Sequence, residues 1–232
     1  MNTIGNVYMQ MGASFVISPE ALRDKLKHIR AFVFDWDGVF NNGEKQARGS
    51  SNFSEVDSMG TNLLRFSHYL CHGQLPITAI ISGERNETAF YFCERECFHY
   101  SFFKISNKAE ALAYLCEKEG ISPSQVAYVF DDVLDLPVAE RCGLRILVNQ
   151  QANPLFREYC VKHDLADYIT AHPGGRFAVR ETCELLIGLN DNFDAVITHR
   201  KNFDTAYTTY LGLRRETKPE VFTLKENGIE KT

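Results

Sequence analysis

Short runs of consecutive apolar residues alternate with longer amphipathic segments through most of the chain. We predict strands at the apolar runs Ala31–Phe34, Ile77–Ile81, Tyr100–Phe103, Val126–Phe130 and Leu144–Val148, with a weaker sixth at Tyr168–Thr170. We predict helices near 58–71, 84–95, 107–119, 134–142, 153–163 and 177–189. Apolar strands that alternate with helices indicate a mostly parallel sheet covered on both faces. The predicted fold is a three-layer, doubly wound α/β domain, in which ligands bind beyond the carboxyl ends of the strands.

The two ends of the chain lack this alternation. Residues 1–18 show no clear period, and we predict a poorly ordered N-terminal arm that ends at Ser18, the expected N-cap of a first helix. The repeating pattern then defines a core at 19–189, followed by an extension at 190–232. Within the extension, Thr205–Leu213 could form one short helix. The extension could dock on a neighbouring molecule, or it could be a loose tail.

Composition narrows the classes of partner. The net charge of −5 and the absence of a basic stripe argue against nucleic-acid binding. The apolar runs are far shorter than the roughly 20 residues that span a bilayer, and no basic segment followed by an apolar run opens the chain. The seven cysteines form no CxxC pair and suit a reducing compartment. We therefore expect a soluble, cytoplasmic protein with no membrane partner.

Two carboxylates follow the first predicted strand directly, at Asp35 and Asp37, with Gly38 after them. A carboxylate at the edge of a buried sheet is costly unless it is paired, protonated or bound to a metal. One aspartate of such a pair can attack phosphorus, and the other can give a proton to the leaving oxygen and later activate water. The alternative is an Asp-Gly turn with no chemical role.

Single polar residues follow the next two predicted strands. Ser82 and Gly83 precede a predicted helix, where a hydroxyl and a backbone amide can hold a phosphate, although a plain serine N-cap has the same sequence. Lys108 lies in the first turn of the following helix, where a cation is mildly unfavourable. It could neutralise phosphoryl oxygens, or it could simply be solvated.

Three acidic residues, Asp131, Asp132 and Asp135, follow the fourth predicted strand. Oxygen ligands of this kind suit Mg²⁺, and a capping cluster for the next helix is the alternative. In a parallel sheet, the acid pair, the hydroxyl, the lysine and the acid cluster would meet at one edge. Together they indicate metal-assisted phosphoryl transfer to water.

The pattern resembles the haloacid dehalogenase-like phosphatases. Their four motifs are similar to Asp35-x-Asp37-Gly-Val, Ser82, Lys108 and Asp131-Asp132-x-x-Asp135. Within that superfamily, the stretches DDVLDLPVAERCGL, HPGGRFAVRETCELLI and VDSMG resemble the 3-deoxy-manno-octulosonate 8-phosphate (KDO 8-phosphate) phosphatases and their nonulosonate 9-phosphate relatives. The resemblance covers about residues 26–189.

The resemblance implies a role for each matching residue. Asp35 would form an aspartyl-phosphate and bind Mg²⁺, and Asp37 would act as acid and base and bind the metal through its backbone carbonyl. Asp131 would be the remaining protein ligand, supported by Asp132 and Asp135. The residues expected to bind the phosphorylated substrate are Ser82, Lys108, Gly83, Asp57, Glu84, Arg85 and Arg176.

Spacing between the motifs bears on the architecture. About forty residues separate the first motif from the second, and about twenty-five separate the second from the third. Neither interval can hold a cap domain, so the site needs another wall to exclude water. The family that the chain resembles forms tetramers, and we expect a homo-oligomer on that basis.

The sequence leaves the substrate open. We expect a small sugar-acid phosphate of the KDO 8-phosphate type. Glu84 followed by Arg85 is more similar to the nonulosonate 9-phosphate branch, and another small phosphorylated metabolite is also possible. A third hypothesis is a non-catalytic descendant that binds a phosphometabolite or acts as a scaffold. A protein that only binds its ligand would not need both Asp35 and Asp37.

Overall fold

The computed structural model describes residues 4–45, 51–226 and 228–232. Within these ranges, nine strands form one sheet in the order β1-β7-β6-β5-β2-β3-β4-β8-β9. The strands are β1 (Ser14–Phe15), β2 (Ala31–Phe34), β3 (Ile77–Ile81), β4 (Tyr100–Phe103), β5 (Val126–Phe130), β6 (Leu144–Leu147), β7 (Tyr168–Ile169), β8 (Glu220–Lys225) and β9 (Gly228–Lys231). Neighbouring strands are parallel, except for the antiparallel pairs β1–β7 and β8–β9 at the two edges.

Helices cover both faces of the sheet. They are α1 (Ile4–Met11), α2 (Pro19–Leu26), α3 (Glu55–His72), α4 (Glu87–Glu96), α5 (Lys108–Glu119), α6 (Leu136–Ala139), α7 (Pro154–Lys162), α8 (Ala178–Leu189), α9 (Phe193–Asn202) and α10 (Thr205–Glu216). Alternate residues of β2 belong to different cores: Phe32 and Phe34 pack beneath α3 and α8, whereas Ala31 and Val33 pack beneath α5 and α6. The predicted three-layer α/β fold is confirmed.

Within the described part of the chain, one helix, α3, lies between β2 and β3, and one helix, α4, lies between β3 and β4. Among the described residues, therefore, no cap domain interrupts the fold, as predicted. The helix predicted at 84–95 begins only at Glu87, because the side chain of Asn86 caps it by accepting hydrogen bonds from the backbone N–H groups of Thr88 and Ala89.

The N-terminal segment differs from the prediction of a poorly ordered arm. Residues 4–11 form α1, and β1 extends the sheet by pairing with β7. Ile4 and Tyr8, one helical turn apart, pack against the main core. An eight-residue helix is too short to show a clear hydrophobic period. Ser18 does cap α2, as predicted, since its hydroxyl accepts a hydrogen bond from Ala21 N–H at 3.1 Å.

The C-terminal extension is folded onto the core, so the loose-tail alternative is wrong for its described residues. The helix α10 matches the predicted Thr205–Leu213, and Tyr207 and Tyr210 of that helix are buried. Both tyrosines hydrogen-bond Asn62 of α3. The strand β8 then joins the sheet beside β4. We did not expect β8, because its residues, Glu220–Lys225, are only partly buried and include charged and polar side chains, so that they form no continuous apolar run.

The cysteines and the helices bear on two predictions made from composition. All seven cysteines are free, and five of them are buried, as the sequence predicts. None of the helices that the structure describes has the length and the apolar character needed to cross a membrane.

Candidate active site

The carboxyl ends of the central strands surround a cavity of about 680 Å³. Nine of the twelve residues predicted to act in catalysis, substrate binding or metal binding line it: Asp35, Asp37, Ser82, Gly83, Glu84, Lys108, Asp131, Asp132 and Asp135. They meet because β2, β3, β4 and β5 are adjacent and parallel, so that the residues after each strand reach the same edge.

A buried ammonium group links two of the carboxylates. Lys108 Nζ lies 2.6 Å from Asp35 Oδ1 and 2.6 Å from Asp135 Oδ1. The hydroxyl of Tyr128, in the middle of β5, donates a second hydrogen bond to Asp135 Oδ1 at 2.5 Å. Lys108 is the first residue of α5 and only 4% exposed. The two carboxylates compensate for the unfavourable position of this cation at a helix N-terminus.

The pKa values of the clustered aspartates reflect an excess of buried negative charge. Burial, and then the Asp135 carboxylate, raise the pKa of Asp35 to about 7, although Lys108 opposes the shift. Burial and the neighbouring Asp35 and Asp135 raise the pKa of Asp131 to about 8. Burial lowers the pKa of Lys108, but the two carboxylates outweigh it and raise that pKa above its usual value. The single positive charge of Lys108 is therefore too small to balance the buried carboxylates around it.

The same carboxylates fit a divalent cation. One oxygen from each of Asp35, Asp131 and Asp135 lies within 4.8 Å of the others. Asp131 Oδ1 is buried and has no hydrogen-bond partner among the described residues, whereas its Oδ2 accepts a hydrogen bond from Gln150 Nε2 at 3.1 Å. A buried orphan oxygen beside two other carboxylates is the environment expected of a ligand atom. A set of hard oxygen donors suits Mg²⁺.

Gly38 allows the loop after β2 to pass close to Asp131. Its φ angle is +83°, and a Cβ atom at this position would lie 2.0 Å from Asp131 Oδ2. Gln150 also holds this loop, because its side chain donates to the Gly38 carbonyl at 2.7 Å. A side chain at position 38 would therefore displace the Asp131 carboxylate.

A hydrogen-bond network orients Asp37. Ser51 Oγ donates to Asp37 Oδ1 at 2.9 Å. The side-chain nitrogen atoms of Trp36, Asn41 and Asn86 lie 3.0, 3.1 and 2.7 Å from the same oxygen, so three donors share its two lone pairs. Because these other neighbours are all donors, the hydroxyl proton is directed to Asp37.

Ser82 and its neighbours form another wall of the cavity. Ser82 is 3% exposed, and its hydroxyl accepts a hydrogen bond from Glu84 N–H at 3.3 Å. It is not the N-cap of α4, which is Asn86. The alternative of a plain serine N-cap is therefore wrong.

Three of the predicted substrate-binding residues lie outside this cavity. Asp57 is buried, and its Oδ1 caps the first turn of α8 by accepting from Arg180 N–H at 2.8 Å. Arg85 pairs with Glu87 at 2.8 Å. Arg176 borders a neighbouring cavity of about 430 Å³ that shares Asn42 and Lys45 with the first.

The acid cluster after β5 divides into different local roles. The carboxylate of Asp132 accepts from Val133 N–H at 2.7 Å and caps a short 3-10 turn at Val133–Asp135. The alternative of a capping residue is therefore correct for Asp132. Asp135 instead faces Lys108 and the other carboxylates.

Sequence reasoning missed several residues around the site. Gln150 follows β6, much as the acids follow β2 and β5. Its position after a strand could therefore have identified it as a site residue. Tyr128 has no such signal, because a tyrosine within an apolar run is expected to be a core residue. Lys45, whose Nζ lies 3.2 Å from Asp37 Oδ2, was also missed.

Known proteins are similar to this chain over most of its length. No protein-family model matches the chain. The 3-deoxy-D-manno-octulosonate 8-phosphate phosphatase KdsC of Salmonella typhimurium is 34% identical over 179 residues, which are 74% of this chain and 85% of the relative. KdsC of Escherichia coli K12 is 34% identical over 171 residues, which are 70% of this chain and 81% of that protein. The chain belongs to the KDO 8-phosphate phosphatase family of haloacid dehalogenase-like hydrolases.

Solved structures of this family share the fold. The KDO 8-phosphate phosphatase of Moraxella catarrhalis, in complex with a magnesium ion, a phosphate ion and KDO, matches with a TM-score of 0.63 and 30% identity. The match covers 79% of this chain and 98% of that one. A probable YrbI family phosphatase from Pseudomonas syringae matches with a TM-score of 0.65 and 31% identity, over 80% of this chain and 98% of that chain. The family, the phosphoric monoester hydrolase class and the Mg²⁺ cofactor are confirmed.

Proposed function

We propose that the protein hydrolyses the phosphate ester of a small sugar acid, of the KDO 8-phosphate type, through an aspartyl-phosphate on Asp35. The observation that supports this most is the position of Lys108 Nζ, 2.6 Å from both Asp35 and Asp135, beside the orphan oxygen of Asp131. A nucleophile, a cation for the phosphoryl oxygens and a metal site are thereby gathered in one cavity. The names of the relatives support the choice of sugar acid.

The proposed reaction has two steps. In the first, a carboxylate oxygen of Asp35 attacks phosphorus, the bond from phosphorus to the sugar oxygen breaks, and Asp37 gives its proton to that oxygen. In the second, Asp37 takes a proton from water, the water oxygen attacks phosphorus, and the bond from phosphorus to Asp35 breaks. Inorganic phosphate and the free sugar acid are the products, and both aspartates return to their starting states.

The remaining residues bind and orient. Lys108 and Ser82 would hold the phosphoryl oxygens, the ammonium group by charge and the hydroxyl by hydrogen bonding. Mg²⁺, when bound, neutralises phosphoryl charge. It would be held by Asp35, the backbone carbonyl of Asp37 and Asp131, with Asp132 and Asp135 in support. Of these two residues, Asp135 lies closer to the other ligands, since its carboxylate is one of the three that cluster together.

A cationic side chain of the active-site cavity and one of the neighbouring cavity suit the carboxylate of a sugar acid. Lys45 lines both the active-site cavity and the neighbouring one, and Arg176 borders the latter. Glu84 lines the active-site cavity, whereas Arg85 pairs with Glu87. Direct contacts of Asp57, Arg85 and Arg176 with substrate remain predictions from the sequence.

Assembly and location are proposals of the same kind. The cavity has no cap domain above it among the described residues, so we propose that neighbouring subunits of a homotetramer close it. Size-exclusion chromatography with light scattering would test the subunit count. Location in the cytoplasm remains a prediction from the sequence.

A substrate panel tests the proposal. The protein is assayed with Mg²⁺ against KDO 8-phosphate, a nonulosonate 9-phosphate and p-nitrophenyl phosphate, and phosphate release is measured. We expect the highest kcat/KM on KDO 8-phosphate and loss of turnover in EDTA. A preference for the nine-carbon substrate would move the assignment to the nonulosonate branch. No release from any ester would favour a phosphometabolite-binding scaffold.

A further inference from the structure

A second polar cavity, of about 290 Å³, lies between α3, the end of α4 and the two helices α9 and α10 of the C-terminal extension. It shares no lining residue with the active-site cavity. Its charged lining consists of Arg95, Arg200, Arg214, Arg215, Glu55 and Glu96. The four guanidinium groups outnumber the two carboxylates, although the whole chain has a net charge of −5.

Part of this positive charge has a structural role. Glu96 is 4% exposed, and Arg214 Nη2 lies 2.6 Å from its Oε2. Arg65 and Arg95 also approach the Glu96 carboxylate, at 3.6 and 3.4 Å. Arg65 and Arg214 further donate to the Glu96 backbone carbonyl at the end of α4. These contacts attach the extension to the core. The Glu96 carboxylate is shared by three guanidinium groups, and Arg95 also pairs with Glu55.

Two of the arginines remain outside this network. Arg200 and Arg215 form no ion pair with any residue that the structure describes. The Arg200 guanidinium lies over the Tyr207 ring, 5.0 Å from its centroid, and this stacking fixes its position. Arg200 Nε is buried and lacks a hydrogen-bond partner among the same residues. Arg200 is half-buried and Arg215 is exposed, so both guanidinium groups have faces that an anion can reach. Guanidinium groups that lie close together without a carboxylate partner suit an anionic ligand.

We infer that this arginine-lined cavity binds a small anion that carries at least two carboxylate or phosphate groups. Like charges held together are unfavourable unless an anion offsets them, and guanidinium groups pair with carboxylate and phosphate in a bidentate manner. The volume suits a small metabolite rather than a polymer. The inference does not depend on the reaction at Asp35.

The test separates this cavity from the active site by removing the metal. Without metal, the active-site cavity presents a cluster of carboxylates, which disfavours anions. The full-length protein is treated with EDTA and desalted into metal-free buffer, because EDTA is itself a polycarboxylate, and citrate and pyrophosphate are then each titrated into it with calorimetry as the readout. We expect saturable binding, weakened about ten-fold or more in the double variant Arg200→Gln, Arg215→Gln, since each charge-assisted contact contributes about one factor of ten or more.

The control is Arg141→Gln, an exposed arginine after α6 that lines neither cavity. Its affinity should stay within about two-fold of the native protein, since a surface charge far from a ligand contributes little. Circular dichroism confirms that each variant is folded. Equal affinity in the double variant and the native protein, or the absence of saturable binding of both anions at millimolar concentrations, would overturn the inference.

Discussion

Lys108 Nζ lies at the same distance, 2.6 Å, from Asp35 Oδ1 and Asp135 Oδ1, so one buried ammonium group compensates two carboxylates. The substitution Lys108→Met would leave both acids without this partner. We expect the free energy of unfolding in EDTA to fall by about 3–5 kcal/mol, the usual cost of breaking a buried ion pair, and phosphatase activity to be lost.

Lys118→Met is the matched control for Lys108. Its ammonium group forms a partly exposed ion pair with Glu220 at 3.3 Å. Such pairs contribute about 0–1 kcal/mol, so the control should retain its stability and its activity. Urea denaturation measures both variants. Similar losses in the two variants would show that the buried position of Lys108 has no special importance.

Gly38 and Gly43 provide a matched pair of glycine substitutions. Both have positive φ angles, +83° and +77°. A Cβ at Gly38 would meet Asp131 Oδ2 at 2.0 Å, whereas a Cβ at Gly43 would meet no described atom within 4 Å. Both alanine variants should therefore have backbone strain of about 1–2 kcal/mol, but only Gly38→Ala should lose Mg²⁺ affinity, by ten-fold or more.

Calorimetric titration of Mg²⁺ into the two glycine variants checks this difference. Equal Mg²⁺ affinities would mean that the contact between Gly38 and Asp131 does not shape the metal site.

The hydrogen bond from Ser51 to Asp37 should matter most for difficult leaving groups. In Ser51→Ala, Asp37 loses the hydroxyl that donates to it at 2.9 Å. Because a proton donor is needed most when the leaving oxygen is strongly basic, we expect kcat on an alkyl phosphate to fall about ten-fold further than kcat on p-nitrophenyl phosphate. The two substrates serve as each other's control. An equal decrease on both would indicate a general structural defect.

The carboxyl group of Asp131 makes metal-free stability depend on pH. Its folded pKa of about 8 is above the ordinary value of 3.8, so the folded state favours its protonated form. This contribution to stability is lost as pH rises from about 4 through about 8. In EDTA, the melting temperature of Asp131→Asn relative to the native protein should therefore rise over this window, by at least about 2–4 °C.

Asp132→Asn is the control for Asp131, because an asparagine can still cap the turn that Asp132 caps. The difference between this control and the native protein should change little with pH. Added Mg²⁺ should stabilise the native protein more at pH 8 than at pH 6, since binding requires ionised carboxylates. A pH-independent effect of Asp131→Asn would contradict the raised pKa.

The central fold and most of the site followed from the sequence for a physical reason. Strands buried on both faces must be continuously apolar, so β2 to β6 were visible as runs. Their parallel arrangement brings Asp35, Lys108 and Asp131 to one edge without any further information. The residues in the gaps between these runs were therefore the strongest candidates for chemistry.

Other features depend on contacts between distant segments and have no local signal. Ser51 contacts Asp37 only because the chain folds back after β2, and Asn86 reaches Ser51 from the start of α4. The strand β8 is too polar to show as an apolar run. Arg200 forms part of a cavity only because α9 and α10 pack on α3. Tertiary packing decides all of these positions.

Detection of a covalent intermediate on Asp35 tests the proposed mechanism most directly. The protein with Mg²⁺ is mixed with p-nitrophenyl phosphate, quenched rapidly in acid and digested, and the peptides are analysed by mass spectrometry. We predict one added phosphoryl group on the peptide that contains Asp35, and none in Asp35→Asn, which should also lack turnover. Turnover by Asp35→Asn, or a phosphoryl group attached to a different residue, would contradict the proposed mechanism.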